Sequence, residues 1–317
     1  MDDGSPENAS AIRDESSVMD DGITVLQKRN EGVSAARNDG LAMAGAEWVI
    51  CCDSDDWMEE DALESLYKAG IEKNADVVIA DIFRINGHER SYCALFDNEF
   101  EFTDPDAIKK VVLSVVYQRY CPMTQKQPQF GLGGPWNKAA RRNLIAEHGL
   151  YFDTDLMGVY DDRLFVANAY VNAKKIAYLH KAIYNYVLVE DSITRSYKAN
   201  ILEVNENIFG KFREFIEAHY AGDPAVEGAY NAMIVNRLHA ALRLYFFSGK
   251  NPDKWSDKRK KLKRVLETEP YNTAIARVGT SMLHDHLAYA VKVMKMNPPE
   301  ALRLLFKMKE LKGKVKK

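Results

Sequence analysis

The feature that most constrains this chain is a run of apolar residues, Trp48-Val49-Ile50-Cys51-Cys52, that stops abruptly at Asp53-Ser54-Asp55-Asp56. An uninterrupted apolar run of strand length is expected where a strand is covered on both faces, which requires helices packed on a sheet. The flanking sequence agrees. Ile23 to Gln27 alternates like a short strand, Ser34 to Ala44 carries small and apolar residues at helical spacing, Glu59 to Ala69 reads as the next helix, and Val77 to Phe83 as another strand. Alternating strands and helices predict a layered α/β fold with a mostly parallel sheet. Such sheets take ligands outside the carboxyl ends of their strands, which is where Asp53 to Asp56 fall.

Further along, the pattern predicts a helix from Asp106 to Tyr117, a glycine- and proline-rich loop at Gly131-Leu132-Gly133-Gly134-Pro135, a helix from about Lys138 to Glu147, and short strands at Ile176–Leu179 and Ile183–Val187. Beyond Asn200 the character changes. Ile201, Val204, Ile208, Phe212 and Phe215 keep one helical face, and Met233, Ile234, Leu238, Leu242 and Tyr245 keep another. The expected division is an α/β domain over 1–199 and a helical region over 200–317. Residues 299–317 place Leu302, Leu305, Phe306 and Met308 on a helix with seven Lys or Arg against Glu300 and Glu310. That composition suits either peripheral contact with anionic lipid or a solvated terminal helix.

Bulk properties narrow the class. With 317 residues and 46% hydrophobic content the chain can bury a sizeable core. Its 43 Lys and Arg against 46 Asp and Glu give a formal charge of -3, so charge supplies no basis for nucleic-acid binding. Cys51, Cys52, Cys93 and Cys121 form no C-x-x-C pair, which fits reduced thiols. No run approaches the roughly 18–20 apolar residues of a membrane span, and residues 1–22 are acidic and polar where a signal peptide would be basic and then apolar. The expected location is the cytoplasm, with possible contact at the inner face of the membrane through 299–317.

Three motifs carry candidate chemistry. Asp53 and Asp55 crowd carboxylates at a strand end, where a hard divalent cation would relieve their repulsion; the alternative is a solvated loop in which Asp56 caps the next helix. Asn30-Glu31-Gly32-Val33-Ser34-Ala35-Ala36-Arg37 opens a helix with a glycine loop, and Arg37 either bridges to a diphosphate or is a surface arginine behind a Ser34 cap. Met1-Asp2-Asp3-Gly4-Ser5 reads by itself as turn chemistry.

Taken in order and spacing, Asp2-Asp3-Gly4-Ser5, Asn30 to Gly40 and Cys52-Asp53-Ser54-Asp55-Asp56-Trp57 resemble the bacterial family-two glycosyltransferases of the GT-A fold. The resemblance continues through Trp136-Asn137-Lys138, Tyr160-Asp161-Asp162-Arg163-Leu164-Phe165, Tyr184-Asn185-Tyr186 and Ser192-Ile193-Thr194-Arg195-Ser196, over roughly 1–200. It implies a GT-A-like α/β sheet flanked by helices, followed by a helical appendage. It also implies a nucleotide-sugar donor held by Asp2, Asp3, Asn30, Gly32, Arg37 and Asp53, with Mg2+ or Mn2+ on Asp53 and Asp55. Asp162 would be the catalytic base, with Asp161 beside it where a glutamate is usual. Trp57 and Trp136 become candidates for stacking on an acceptor sugar, and His180 stands where some relatives place a third metal ligand.

The implied reaction is inverting transfer to a glycan or lipid-linked acceptor in surface polysaccharide synthesis. Relatives carry a strand-helix-strand unit before Asp-Asp-Gly-Ser, so the chain is expected to lack that unit. The rival expectation is an inactive or scaffold protein of the same family. An aspartyl phosphatase also places D-x-D after a strand, but Asp56-Trp57 follows here where a Thr or Val is usual.

Overall fold

A computed structural model describes residues 2–3, 22–117, 132–156, 158–188, 196–296 and 299–315. The N-terminal elements are β1 (Asp2–Asp3), β2 (Gln27–Lys28), α1 (Val33–Met43), β3 (Trp48–Ile50), β4 (Trp57–Met58), α2 (Ala62–Glu72), β5 (Val77–Asn86), β6 (Glu89–Cys93), β7 (Phe100–Phe102) and α3 (Pro105–Val116). After these come β8 (Lys138–Arg141), α4 (Arg142–Glu147), a 3-10 turn (Thr154–Leu156), α5 (Asp161–Asn172) and β9 (Ile176–Val187). The rest is helical: α6 (Ile201–Tyr220), α7 (Pro224–Ala241), a π-helical turn (Leu242–Phe246), α8 (Trp255–Glu267), α9 (Tyr271–Arg277), a 3-10 turn (Thr280–Met282), α10 (Asp285–Lys295) and α11 (Pro299–Val315).

The chain divides into two compact units, one of Met1–Phe83, Asn98–Ile108 and Gly133–Asn185, the other of Arg84–Asp97, Lys109–Leu132 and Tyr186–Lys317. The first is built on a sheet of order β3-β8-β5-β9-β4, in which β7 also pairs with β9. Its core strand follows directly from composition: Val77 to Ile82 are all buried, and the one polar member, Asp81, accepts the Tyr178 hydroxyl at 2.7 Å. β1 and β2 make a separate parallel pair, Asp2 against Gln27 and Asp3 against Lys28.

The α/β class expected from sequence is what the fold shows, and the sheet is mixed. β8 is antiparallel to both β3 and β5 and lies between them, so those two strands run the same way with a reversed one inserted. This corrects the helix expected from about Lys138. Lys-Ala-Ala-Arg favours a helix locally, but Ala139 and Ala140 pair with Ile50 and Val49 on one side and with Val78 and Val77 on the other. Pairing between strands outweighs propensity over so short a segment, and the helix begins at Arg142.

Two other boundaries move for similar reasons. Trp57 and Met58 pair with Asn185 and Tyr184, and the Glu59 N–H donates to Ile183 O at 2.9 Å. The chain stays extended through this stretch, and α2 starts at Ala62 rather than Glu59. The two short strands expected at 176–179 and 183–187 are one continuous strand, β9. Of the segment Ile23 to Gln27, only Gln27 enters a strand.

The second unit buries the two apolar faces read from the sequence; Ile201, Ile208, Phe212, Phe215, Met233, Ile234, Leu238, Leu242 and Tyr245 are all in its core, with Val204 half-buried. Asp223 caps α7 by accepting the N–H groups of Ala225 and Val226 at 2.9 and 3.1 Å, with Pro224 in the first helical turn, the pattern that satisfies otherwise unpaired amides. Among the described residues no helix is long and apolar enough to cross a membrane.

Candidate active site

The site grows from the end of β3. The chain leaves that strand through Cys51 and Cys52 into Asp53-Ser54-Asp55-Asp56, and a tyrosine from β9 fixes the turn. The Asp53 N–H donates to the Tyr184 hydroxyl at 3.0 Å, and that hydroxyl donates to Asp56 Oδ2 at 2.8 Å. Burial holds the phenol well above its ordinary pKa, so it keeps the proton it donates. Asp56 therefore serves to anchor the loop, whereas Asp55 is exposed and accepts no hydrogen bond from the described residues.

The second wall is α1. Gly32 stands at its N-terminus with φ of 90°, a backbone state costly for any residue with a Cβ, and Asn30 Oδ1 accepts the Gly32 N–H at 3.3 Å. One turn inside, Arg37 joins two motifs. Its Nη2 donates to Asp53 Oδ1 at 2.8 Å, its Nη1 lies 3.5 Å from Asp161 Oδ2, and its guanidinium sits 5.2 Å from the Phe152 ring centroid. The Ser34 hydroxyl donates to the same Asp161 oxygen at 2.8 Å. Asn38 completes this seam by accepting the Phe152 N–H at 2.7 Å and donating to Phe152 O at 2.8 Å.

Asp161 and Asp162 open α5, where the positive end of the helix favours carboxylates. They face different surroundings. Asp161 is 1% exposed and is consumed by Ser34 and Arg37. Asp162 uses one oxygen to accept the Arg163 N–H at 2.7 Å, and burial raises its pKa above the ordinary carboxylate value, against the lowering pull of the Arg163 cation. Tyr160, just before them, adopts a left-handed φ of 72° with the Arg163 guanidinium 4.6 Å from its ring centroid. A non-glycine residue held there stores strain, a feature that clusters at functional sites.

Lys138 lies beneath the site. Its Nζ donates to Gly134 O and Asn137 Oδ1, and Asn137 in turn donates to Ala80 O at 2.6 Å. Burial depresses its pKa to about 7, with Asp162 and Cys51 pulling the other way. Burial likewise pushes the Cys51 thiol up to about 11, so it is protonated and unreactive near neutrality.

A cleft of about 710 Å3 runs between α1 and the end of β3, bordered by Val33, Arg37, Leu41, Val49, Asp53 and Asp55. That volume is within the range that encloses a small organic ligand. Arg37, Asp53 and Asp55 thus line one opening, with Asn30 and Gly32 in the turn that leads into α1 and Asp161 joined to it through Arg37. Asp2 and Asp3 are placed as β1 next to β2, while their side chains, together with Met1, Gly4, Ser5, Cys121, Gly131 and Ser192 to Arg195, lie outside the described residues.

Trp57 exposes half of its surface, whereas Trp136 is stacked on Tyr184 at 5.1 Å between ring centroids. His180 is 3.8 Å from Asp81 and takes part in the Tyr178–Asp81 cluster between β5 and β9. Among the described residues no three His, Cys, Asp or Glu side chains converge on a point that could hold a metal. The donor set at Asp53 and Asp55 therefore suits a hard cation only if a ligand supplies further oxygens, as phosphates do for Mg2+.

Three contributors were not evident as such in the sequence. Ser34 reads there as a helix cap, yet Gly32 caps α1 and the Ser34 hydroxyl turns to Asp161. Tyr184 and Lys138 stand in segments that carry the family resemblance, and their roles emerge only from contacts across the sheet.

Residues 1–123 match the family described as Glycosyl transferase family 2. Glycosyltransferase GlyA of Streptococcus pneumoniae serotype 4 is 31% identical over 195 residues, which is 62% of this chain and 27% of GlyA. Putative glycosyltransferase EpsH of Bacillus subtilis is 28% identical over 205 residues, 64% of this chain and 55% of EpsH. The chain thus spans about a quarter to a half of the length of these relatives. Among solved structures, S. aureus TarS 1-349 superposes with a TM-score of 0.63 at 19% identity, covering 98% of this chain and 80% of that one. TarS is described as a poly(ribitol-phosphate) beta-N-acetylglucosaminyltransferase and has also been solved with UDP-GlcNAc. The first 123 residues thus match glycosyl transferase family 2, and the fold is similar to that of TarS.

Proposed function

We propose that this chain transfers a sugar from a nucleotide-sugar donor to a hydroxyl of a surface glycan or lipid-linked acceptor, assisted by Mg2+ or Mn2+ and with inversion at the anomeric carbon. The observation that carries this reading is the Arg37 bridge, which joins the acidic loop after β3 to the first turn of α5. The TarS complex with UDP-GlcNAc supports a nucleotide-sugar donor, and the description of TarS supports a surface polymer as acceptor.

On this reading the cleft along α1 takes the nucleotide, with Asp2, Asp3, Asn30 and the Gly32 turn on the base and ribose side. Asp55, with Asp53, would hold the cation, which when bound offsets negative charge on the leaving diphosphate. Arg37 keeps Asp53 and Asp161 in place, so its part is to organise the site as much as to touch phosphate. Asp162 accepts the proton of the acceptor hydroxyl while that oxygen bonds to the anomeric carbon, and the bond from that carbon to the diphosphate oxygen breaks on the opposite face. Its raised proton affinity makes it a stronger base than an exposed aspartate. The exposed Trp57 offers an apolar face to the acceptor ring.

The test is nucleoside-diphosphate release from UDP-GlcNAc, UDP-glucose and UDP-galactose with Mg2+ or Mn2+. Release is expected to stop with EDTA and in Asp55→Ala and Asp162→Asn, with circular dichroism unchanged. Turnover indifferent to the chelator and to both substitutions would sink the reading.

A further inference from the structure

The second unit holds a cavity of its own, about 210 Å3, between α8, α11 and the turn after the π-helical segment. Its walls are of two kinds. Phe247, Trp255 and Phe306 form an aromatic lining, with Phe247 centred 5.9 Å from Trp255 and 4.9 Å from Phe306. Lys258, Arg303 and Lys307 bring three cations to the same space, and the Arg303 guanidinium lies 4.5 Å from the Trp255 ring centroid.

Among the described residues, nothing balances those charges. Among the described residues no carboxylate lines the cavity and none pairs with Lys258, Arg303 or Lys307; the nearby Glu300 is taken by Arg259. α8 carries six Lys or Arg against Asp257 and Glu267. Three like charges around one opening repel, and an anion between them removes that cost.

We infer that this cavity is a binding site for a phosphate ester. The anion must be compact, because the volume falls below the roughly 300–1,000 Å3 of pockets that enclose a whole organic ligand. It must also offer several acceptor oxygens to satisfy a guanidinium fork and two ammonium groups, which a phosphate does. The aromatic wall suits an ester with an apolar or ring-bearing substituent rather than a bare ion. A lipid headgroup and a soluble or polymer-borne phosphate ester share this chemistry. The inference concerns a different unit from the transfer site and stands or falls separately from it.

The experiment uses the full chain and two triple variants. One removes the cavity's charges, Lys258→Ser/Arg303→Ser/Lys307→Ser; the other removes the same charge elsewhere on the same basic surface, Lys254→Ser/Lys260→Ser/Arg264→Ser. Binding is read by co-sedimentation with phosphatidylglycerol vesicles against phosphatidylcholine vesicles, and by tryptophan fluorescence with glycerol phosphate. The expected result is binding of at least one probe, weakened at least tenfold in the cavity variant and less than twofold in the control. Retention on phosphatidylglycerol assigns a lipid headgroup, and binding of glycerol phosphate alone assigns a soluble or polymer-borne ester. No binding of either probe, or equal weakening in both variants, overturns the inference.

Discussion

The Tyr184 hydroxyl lies 3.0 Å from the Asp53 amide nitrogen and accepts its proton while donating its own to Asp56, so a residue of β9 sets the shape of the acidic loop after β3. Tyr184→Phe keeps the stack on Trp136 and removes this pair of hydrogen bonds along with the hydroxyl's contact to Cys52. The expected cost is about 1–2 kcal/mol of stability, because a part-buried amide and a carboxylate each lose one hydrogen bond. Donor kcat/KM should fall about tenfold, since a loosened loop misplaces Asp53 and Asp55. Chemical denaturation and donor kinetics measure the two effects, and wild-type values in both would show that the hydroxyl does not hold the loop.

Asp162→Asn separates chemistry from folding. The asparagine oxygen can still accept the Arg163 N–H, so the start of α5 is retained. The side chain no longer takes a proton, and kcat should drop by about 10^2–10^4. The folded state raises the Asp162 pKa, so its charged form is disfavoured by folding above the ordinary carboxylate range. The neutral variant should therefore be as stable as wild type at pH 7 or more so; a clear loss of melting temperature would contradict this.

Lys138 predicts a pH signature. Its amine is depressed from 10.5 to about 7 by burial, so between those values the unfolded chain binds a proton that the folded chain does not. Stability from this group is lowest below pH 7 and rises with pH across the window, by at most about 1.4 kcal/mol per pH unit. Lys138→Met removes that slope. Urea midpoints from pH 7 to 9.5 should rise for wild type relative to the variant, and a constant gap would count against a neutral buried amine.

Gly70 tests packing against propensity. Alanine favours a helix interior over glycine by roughly 1 kcal/mol. A Cβ at position 70 would meet the Trp48 indole at 2.4 Å, and that ring is held under Arg141, whose guanidinium sits 4.6 Å from it. Overpacking of this kind costs about 1–3 kcal/mol, so the clash should win and Gly70→Ala should lower the melting temperature. A rise would mean that the indole moves aside freely.

How far the fold could be read from the chain depends on the range of the forces involved. The apolar run from Trp48 announces a doubly covered strand, because burial on both faces writes itself directly into composition. α1 was expected over Ser34–Ala44 and is found over Val33–Met43, since its periodicity and glycine start are local signals. β8 is not legible locally, because Lys-Ala-Ala-Arg carries no strand signal and owes its form to partners at 48–50 and 77–79. The site divides along the same line. Asp53, Asp55 and Arg37 stand out in linear motifs, whereas the bonds from Ser34 to Asp161 and from Asp53 to Tyr184 span 127 and 131 positions and leave no mark on local pattern.

β9 also bears on how such a chain can vary. Tyr178, His180 and Tyr184 lie an even number of residues apart and so project from one face of the strand, where the first two meet Asp81 and the third meets Asp53. Adding or deleting one residue between 178 and 184 would turn Tyr184 to the opposite face and break its bond to the acidic loop, however conservative the inserted residue. Substitutions can be accepted along this segment one at a time, but its length is fixed, so in recombination between relatives it should be inherited whole.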